Sequence, residues 1–190
     1  MKAFELEQAL RRNPIIAAVK DANGLPGALQ SDVAAIFVLF GDILDIAQIT
    51  SRIKAAGKSA FVHVDLIEGL SRHEITVDFI AKNTLADGIL STKLTQIQRA
   101  RACGIISIQR FFLLDSLAMH NVEKQLSQKD GADFIEVLPG LMPKVIRSLC
   151  GQAAKPLIAG GLIIEKDDAM AALAAGALAV SSTNEDVWGM

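Results

Sequence analysis

Short apolar runs alternate along this chain with longer stretches in which apolar residues recur at helical spacing. The runs fall at 15–20, 34–40, 60–67, 88–92, 105–113, 134–138, 157–160 and 178–181. Most are apolar at consecutive rather than alternate positions, as strands covered on both faces of a parallel sheet are. Between them the periodicity predicts helices over 45–56, 72–82, 95–102, 116–127, 143–149 and 166–175. Asp115 stands where an N-cap is wanted before Ser116, and Pro143 where a first helical turn tolerates a missing N–H. Residues 3–12 predict one more helix, so that 1–13 form an N-terminal addition closing the bottom of the fold.

Small-residue signals precede the β-type runs: Ala55-Ala56-Gly57, Ala86-Asp87-Gly88, Ala102-Cys103-Gly104, Gly131-Ala132-Asp133, Cys150-Gly151 and Ala175-Gly176-Ala177. From Gly57 to Gly176 they recur about every 24 residues, the length of one strand-plus-helix unit. Glycine there suits the left-handed turn just past a helix end. Eight strands with alternating helices make either a closed barrel or a doubly wound open sheet. The count of eight and the regular period favour closure. The predicted fold is therefore α/β, a small TIM-like (β/α)8 barrel in a single domain over 1–190, against roughly 250 residues for a typical barrel. The interval 88–104 predicts a trimmed fourth unit.

Composition narrows the function classes. The chain has 190 residues, 51% of them hydrophobic, enough for a full core. Its longest apolar stretches, about 5–8 residues, are too short to cross a bilayer. No basic segment followed by an apolar one opens the chain, so export is not expected and a cytoplasmic location is. Cys103 and Cys150 lack CxxC or histidine spacing and read as reduced small hydrophobes. A net charge of −2 requires any nucleic-acid contact to come from a local patch. The apolar composition is compatible with a homo-oligomer.

Barrels carry their chemistry at the C-terminal ends of the strands, with phosphate commonly after the last two. Those ends hold Lys20, His63 with Asp65, Lys93, Arg110, Glu136, Gly160-Gly161 and Ser181-Ser182. Glycine and serine leave backbone N–H groups open to an approaching phosphate, although Gly160 and Gly161 would equally serve a tight turn. His63 and Asp65 share strand parity and so one face. Glu136, flanked by apolar residues, is costly to bury unless paired. It either forms a salt bridge with Lys93 or Arg110 or receives ligand hydroxyls, while the cations offset phosphate charge. The implied ligand is small, anionic and hydroxylated.

Lys20 or Lys93 could form a Schiff base with Asp65 or Glu136 as general base, which makes a phosphosugar aldolase or isomerase the alternative reading. No HExxH, GxSxG or clustered metal set occurs, so no catalytic residue, metal or cofactor is assigned. His73 and His120 read as surface residues. Leu141-Met142, after Pro139-Gly140, read as mouth residues that cap a ligand or meet a partner.

With these segments in view, the chain resembles the glycerol uptake operon antiterminator family. The resemblance runs from Asn13 to Trp188. It is carried by Pro14-Ile-Ile-Ala-Ala-Val-Lys20, Val62-His-Val-Asp-Leu-Ile-Glu-Gly-Leu70 and Ala86-Asp-Gly-Ile-Leu-Ser-Thr-Lys93. It continues in Gln109-Arg-Phe-Phe-Leu-Leu-Asp-Ser116, the segment from Phe134 to Lys144, Pro156-Leu-Ile-Ala-Gly-Gly-Leu162 and Ala174-Ala-Gly-Ala-Leu-Ala-Val-Ser-Ser182. The resemblance implies a non-catalytic barrel that binds glycerol 3-phosphate, or a similar small phosphorylated polyol, and acts on leader mRNA to prevent termination of glycerol-use genes. The family's phosphate grip would fall on Gly160, Gly161, Ser181 and Ser182. Strand geometry puts Lys20, His63, Asp65, Lys93, Arg110 and Glu136 around the glycerol part. Composition carries no RNA motif. The basic spots Arg52 with Lys54 and Lys58, and Arg99 with Arg101, read as solvated helix faces, and Arg11, Arg12, Lys144 and Arg147 are the RNA-contact candidates.

Overall fold

The computed structural model describes residues 1–70, 73–127, 131–152 and 154–190. Eight strands close into one parallel barrel in chain order: β1 (Ile15–Val19), β2 (Ala35–Val38), β3 (Ser59–His63), β4 (Gly88–Ser91), β5 (Ile106–Phe112), β6 (Phe134–Leu138), β7 (Leu157–Gly160) and β8 (Ala179–Ser182). Closure comes from β1 against β8, with Ile16 opposite Ser181 and Ala17 opposite Ser182. The final two strands pair with Gly160 opposite Ser181.

Strand parity sorts the core into two compartments. One set of positions faces inward: Ile16, Phe37, Phe61, Leu90, Ile108, Phe134, Ile158 and Ala179 form a single buried cluster with Leu6 and Leu10. The latter two belong to α1 (Ala3–Arg12), which plugs the N-terminal end of the barrel. Alternate strand residues face outward under the helices, in a cluster that includes Val38, Val62, Ile89, Ile135 and Val180.

The helices are α2 (Leu25–Gln30), α3 (Ile46–Ala55), α4 (Ile75–Asn83), α5 (Leu94–Ala102), α6 (Ser116–Ser127), α7 (Pro143–Gln152), α8 (Lys166–Ala174) and α9 (Glu185–Trp188). Asp115 caps α6 by accepting the Ala118 N–H at 2.8 Å, and Pro143 opens α7. The helix expected over 72–82 starts at Ile75, and Arg72 lies outside the described residues. Two short helices, α2 and α9, carried too few apolar repeats to be expected.

Three expectations need correction. The run 60–67 is strand only to His63; Leu66 N–H then bonds back to the His63 carbonyl at 2.9 Å, so Asp65 sits in a turn and the parity argument does not reach it. The 88–104 unit is not trimmed in its helix, since α5 has nine residues, as many as α4 and α8; its shortness lies in a two-residue connection after Ser91. Glycine turns left-handed at Gly57, Gly104 and Gly176, but Gly151 lies inside α7 and Gly88 starts β4. At Gly88 a Cβ would meet the Ile106 carbonyl oxygen at 2.2 Å, so close strand approach decides that residue.

Candidate functional site

At the C-terminal end of the barrel the inward positions change from apolar to polar. His63 on β3, Arg110 on β5, Glu136 on β6 and Ser181 on β8 are all buried there. Arg110 Nε donates to Glu136 Oε2 at 2.6 Å, and Ser181 Oγ donates to Glu136 Oε1 at 2.6 Å. Glu136 is fully buried, so the carboxylate that sequence left between two cations is paired with Arg110 and not with Lys93. Gly160 makes room for this bond: a Cβ there would stand 2.5 Å from Ser181 Oγ and 2.7 Å from Glu136 Oε1.

Arg110 also faces a cavity of about 80 Å³, lined by Ala18, Leu39, Leu138, Gly161, Ser181, Ser182 and Thr183. The Nε contact with Glu136 leaves the terminal guanidinium nitrogens as the donors of this layer suited to an anion. A second cavity of about 200 Å³ shares Ala18 and Thr183 with the first and is lined by Lys20, Asn23, Gly24 and Glu185. Lys20 is exposed at its rim.

The four residues expected to grip phosphate divide. Gly161 has φ 73°, a left-handed conformation that favours glycine, and its backbone borders the cavity. Ser181 has its hydroxyl committed to Glu136, and Ser182 Oγ donates to the Ile163 carbonyl at 2.7 Å. Ser182 also accepts the Asn184 N–H and, through its carbonyl, the Trp188 indole N–H, tying α9 to β8. The α8 N-terminus is closed to anions, because Ile164 N–H and Glu165 N–H both donate to Asp168 Oδ2 at 3.1 Å. Backbone at Gly161 and Thr183, with Arg110, is the donor set that remains around the cavity.

Asp65 sits beside this layer, above β4. Its carboxylate accepts Lys93 Nζ at 2.6 Å, Thr92 N–H at 2.9 Å and Ser91 Oγ at 3.1 Å. Burial disfavours its charge, but the bonds from Lys93 and Thr92 outweigh that and hold its carboxyl below the ordinary range. Asp65 and Glu136 are thus each paired with a cation, Lys93 and Arg110, and the Lys93 amine is turned onto Asp65. His63 is 3% exposed and its Nδ1, 3.9 Å from Asp65, has no hydrogen-bond partner among the described residues. Burial, then the Arg110 charge, lowers its pKa from 6.5 to about 4, so it is a neutral imidazole at pH 7.

The cavity also contains residues that sequence reasoning missed. Leu138 and Thr183 each stand two positions beyond an identified residue, Glu136 and Ser181, so strand parity alone would have brought them to the mouth. Leu39 follows in the same way from Phe37.

The basic spots are mostly consumed by structure. Arg11 pairs with Glu7 at 2.7 Å, Lys54 with Asp87 at 2.7 Å, and Arg99 hydrogen-bonds Asp78 through Nε at 2.9 Å. Arg101 donates to the Gly131 carbonyl. Lys58 is not on a solvated helix face: it is buried, and its ammonium donates to the carbonyls of Ser31 and Val33. Arg12, Lys144 and Arg147 are exposed, and among the described residues no ion pair engages them.

Comparison with known proteins gives this architecture a lineage. The sequence profile described as "Glycerol-3-phosphate responsive antiterminator" matches residues 15–188. The chain is 48% identical over 179 residues to the uncharacterized protein YgcP of Escherichia coli K12, covering 94% of this chain and 93% of that one. A glycerol uptake operon antiterminator regulatory protein from Listeria monocytogenes superposes with a TM-score of 0.86 at 31% identity, over 93% of this chain and 95% of that chain. A glycerol uptake operon antiterminator-related protein from Thermotoga maritima gives 0.81 at 33% identity, over 93% and 98%. Deoxyribose phosphate aldolase from Aeropyrum pernix, at 13% identity and a TM-score of 0.69, shares the fold alone. On sequence and fold together, this chain belongs to the glycerol-3-phosphate responsive antiterminator family.

Proposed function

We propose that the protein is a cytoplasmic, non-catalytic sensor of glycerol 3-phosphate whose liganded form binds leader mRNA and prevents premature termination. The observation that carries this reading is Arg110. Its guanidinium is held by Glu136 through Nε and borders the mouth cavity beside Gly161 and Thr183. A phosphate oxygen meeting that guanidinium and the backbone of Gly161 and Thr183 leaves the glycerol hydroxyls toward Lys20, in the adjoining cavity. Family membership supports the regulatory role, and the ion pairs that hold Lys93 to Asp65 and Arg110 to Glu136 support binding without turnover. The liganded and free forms would differ in loop order, and RNA would select between them.

The test is a thermal-shift titration. Glycerol 3-phosphate at about 100 times its dissociation constant stabilises by about 2.7 kcal/mol, which raises the midpoint of a chain this size by roughly 5–10 °C. Glycerol without phosphate should do far less, and Gly161→Asp should abolish the response. No shift at millimolar ligand removes the sensor reading. A trappable imine on borohydride reduction with a carbonyl phosphosugar would instead return the aldolase. For RNA, Arg12 and Arg147 are the exposed candidates that no ion pair engages among the described residues. Retention of a leader transcript should require ligand and weaken steeply as salt rises.

A further inference from the structure

The rim over β5, β6 and β7 carries a run of exposed apolar side chains. Phe112, Leu114, Leu117, Leu141, Leu162 and Ile164 lie at the three successive strand-to-helix junctions and are 42–84% exposed. The loops are stitched into one surface by the Leu113 N–H to Leu138 carbonyl bond at 2.7 Å and the Gly140 N–H to Gly161 carbonyl bond at 3.0 Å. Leu162 holds φ at 60°, the left-handed region that disfavours leucine, while its side chain is 67% exposed. Backbone strain and apolar exposure at one residue mark a functional surface rather than a packing solution. Between the β5–α6 and β6–α7 loops lies a groove of about 420 Å³ with Leu113, Leu114, Met119, Met142 and Val145 in its walls.

We propose that this rim is the docking face for a second copy of the same chain, paired about a two-fold axis. At roughly 100 Å² each, the six exposed side chains present on the order of 600 Å² of apolar surface, at the upper end for a monomer's largest patch. A standard interface covers about 800 Å² per partner and is roughly 65% apolar at its core, so it needs about 500 Å². The patch carries both halves of a self-complementary contact, projecting leucines beside an apolar groove, which a two-fold axis requires on one surface. Its charges complement as well: Asp115 and Glu123 border the groove from the α6 side, and Lys144 precedes Val145 on the α7 side. In a two-fold pair the acidic edge of each copy meets the basic edge of the other.

Sedimentation of the full chain without ligand tests this independently of glycerol 3-phosphate. At about 50 µM, above the micromolar ceiling for interfaces of this size, the protein should sediment at twice the chain mass. Leu117→Glu and Leu141→Glu should each return it to one chain mass with an unchanged thermal midpoint in the dilute, dissociated state. Ile75→Glu, an exposed apolar position at the start of α4 away from the rim, should leave the pair intact. A wild-type chain that stays at one chain mass hands the rim to another partner and overturns the proposal. So does a dimer that survives both glutamate substitutions, which would lie on another face.

Discussion

The two ends of the barrel interior are built from the same eight strands in opposite ways. Toward the N-terminal end, Ile16, Phe37, Phe61, Phe134 and Ile158 meet Leu6 and Leu10 of the plug. One step toward the C-terminal end, His63, Arg110, Glu136 and Ser181 fill equivalent inward positions. The first layer stabilises by removing apolar surface from water. The second contributes little net stability, because a buried ion pair roughly offsets its own desolvation. It gains an oriented guanidinium instead. The contrast separates what holds the barrel closed from what would meet the proposed anion.

The sharpest way to break that contrast is to halve the ion pair. Glu136→Ala strands a buried guanidinium and should cost about 3–5 kcal/mol in urea unfolding. The double change Arg110→Met with Glu136→Met should cost much less while still abolishing the response to glycerol 3-phosphate. If the double variant is as unstable as the single one, the layer is structural after all. In the apolar layer, Phe61→Ala removes a ring packed edge-on against Phe37 at 6.0 Å and should cost about 3–5 kcal/mol. Its ligand response should survive wherever it remains folded.

A smaller effect follows from His63. Its pKa is about 4 in the fold against 6.5 ordinarily, so between these values the unfolded chain takes a proton that the native state refuses. Stability should therefore be insensitive to this group above pH 6.5 and fall as pH drops toward 4, by on the order of 2 kcal/mol at pH 4.5. Asp65, held below its ordinary pKa, acts in the same direction at the acid end of that window. His63→Gln should flatten the slope between pH 6.5 and 4.5 in a series of urea titrations; an unchanged slope would mean that His63 is not the group responsible. The smallest expected change is Arg147→Ala. This exposed residue, which no ion pair engages among the described residues, should alter stability by less than about 0.5 kcal/mol while weakening transcript retention and reducing its salt dependence.

Much of the architecture was legible from local pattern alone. Eight apolar runs and the helical spacing between them depend on neighbours within a few residues and survived folding, whereas the recurrent glycine signal marks a left-handed turn at Gly57, Gly104 and Gly176 but not at Gly88 or Gly151. Strand ends were less legible. The alternation Val62-His-Val-Asp-Leu continues past His63, yet the chain turns there because the Asp65 carboxylate is drawn to Ser91, Thr92 and Lys93, more than 25 residues away. Lys58 looked like a solvated lysine until tertiary packing turned it onto two carbonyls beyond the end of α2.

The candidate site divides along the same line. Residue types and strand parity bring Arg110, Glu136, Gly160 and Ser181 to one end of the barrel, because a two-residue period is a property of the strand itself. Partner choice is a matter of distance across strands, and sequence has no access to it. Only the closed barrel decides that Arg110, not Lys93, receives Glu136, that Ser181 and Ser182 spend their hydroxyls within the protein, and that Leu162 is left strained and open to solvent at the rim.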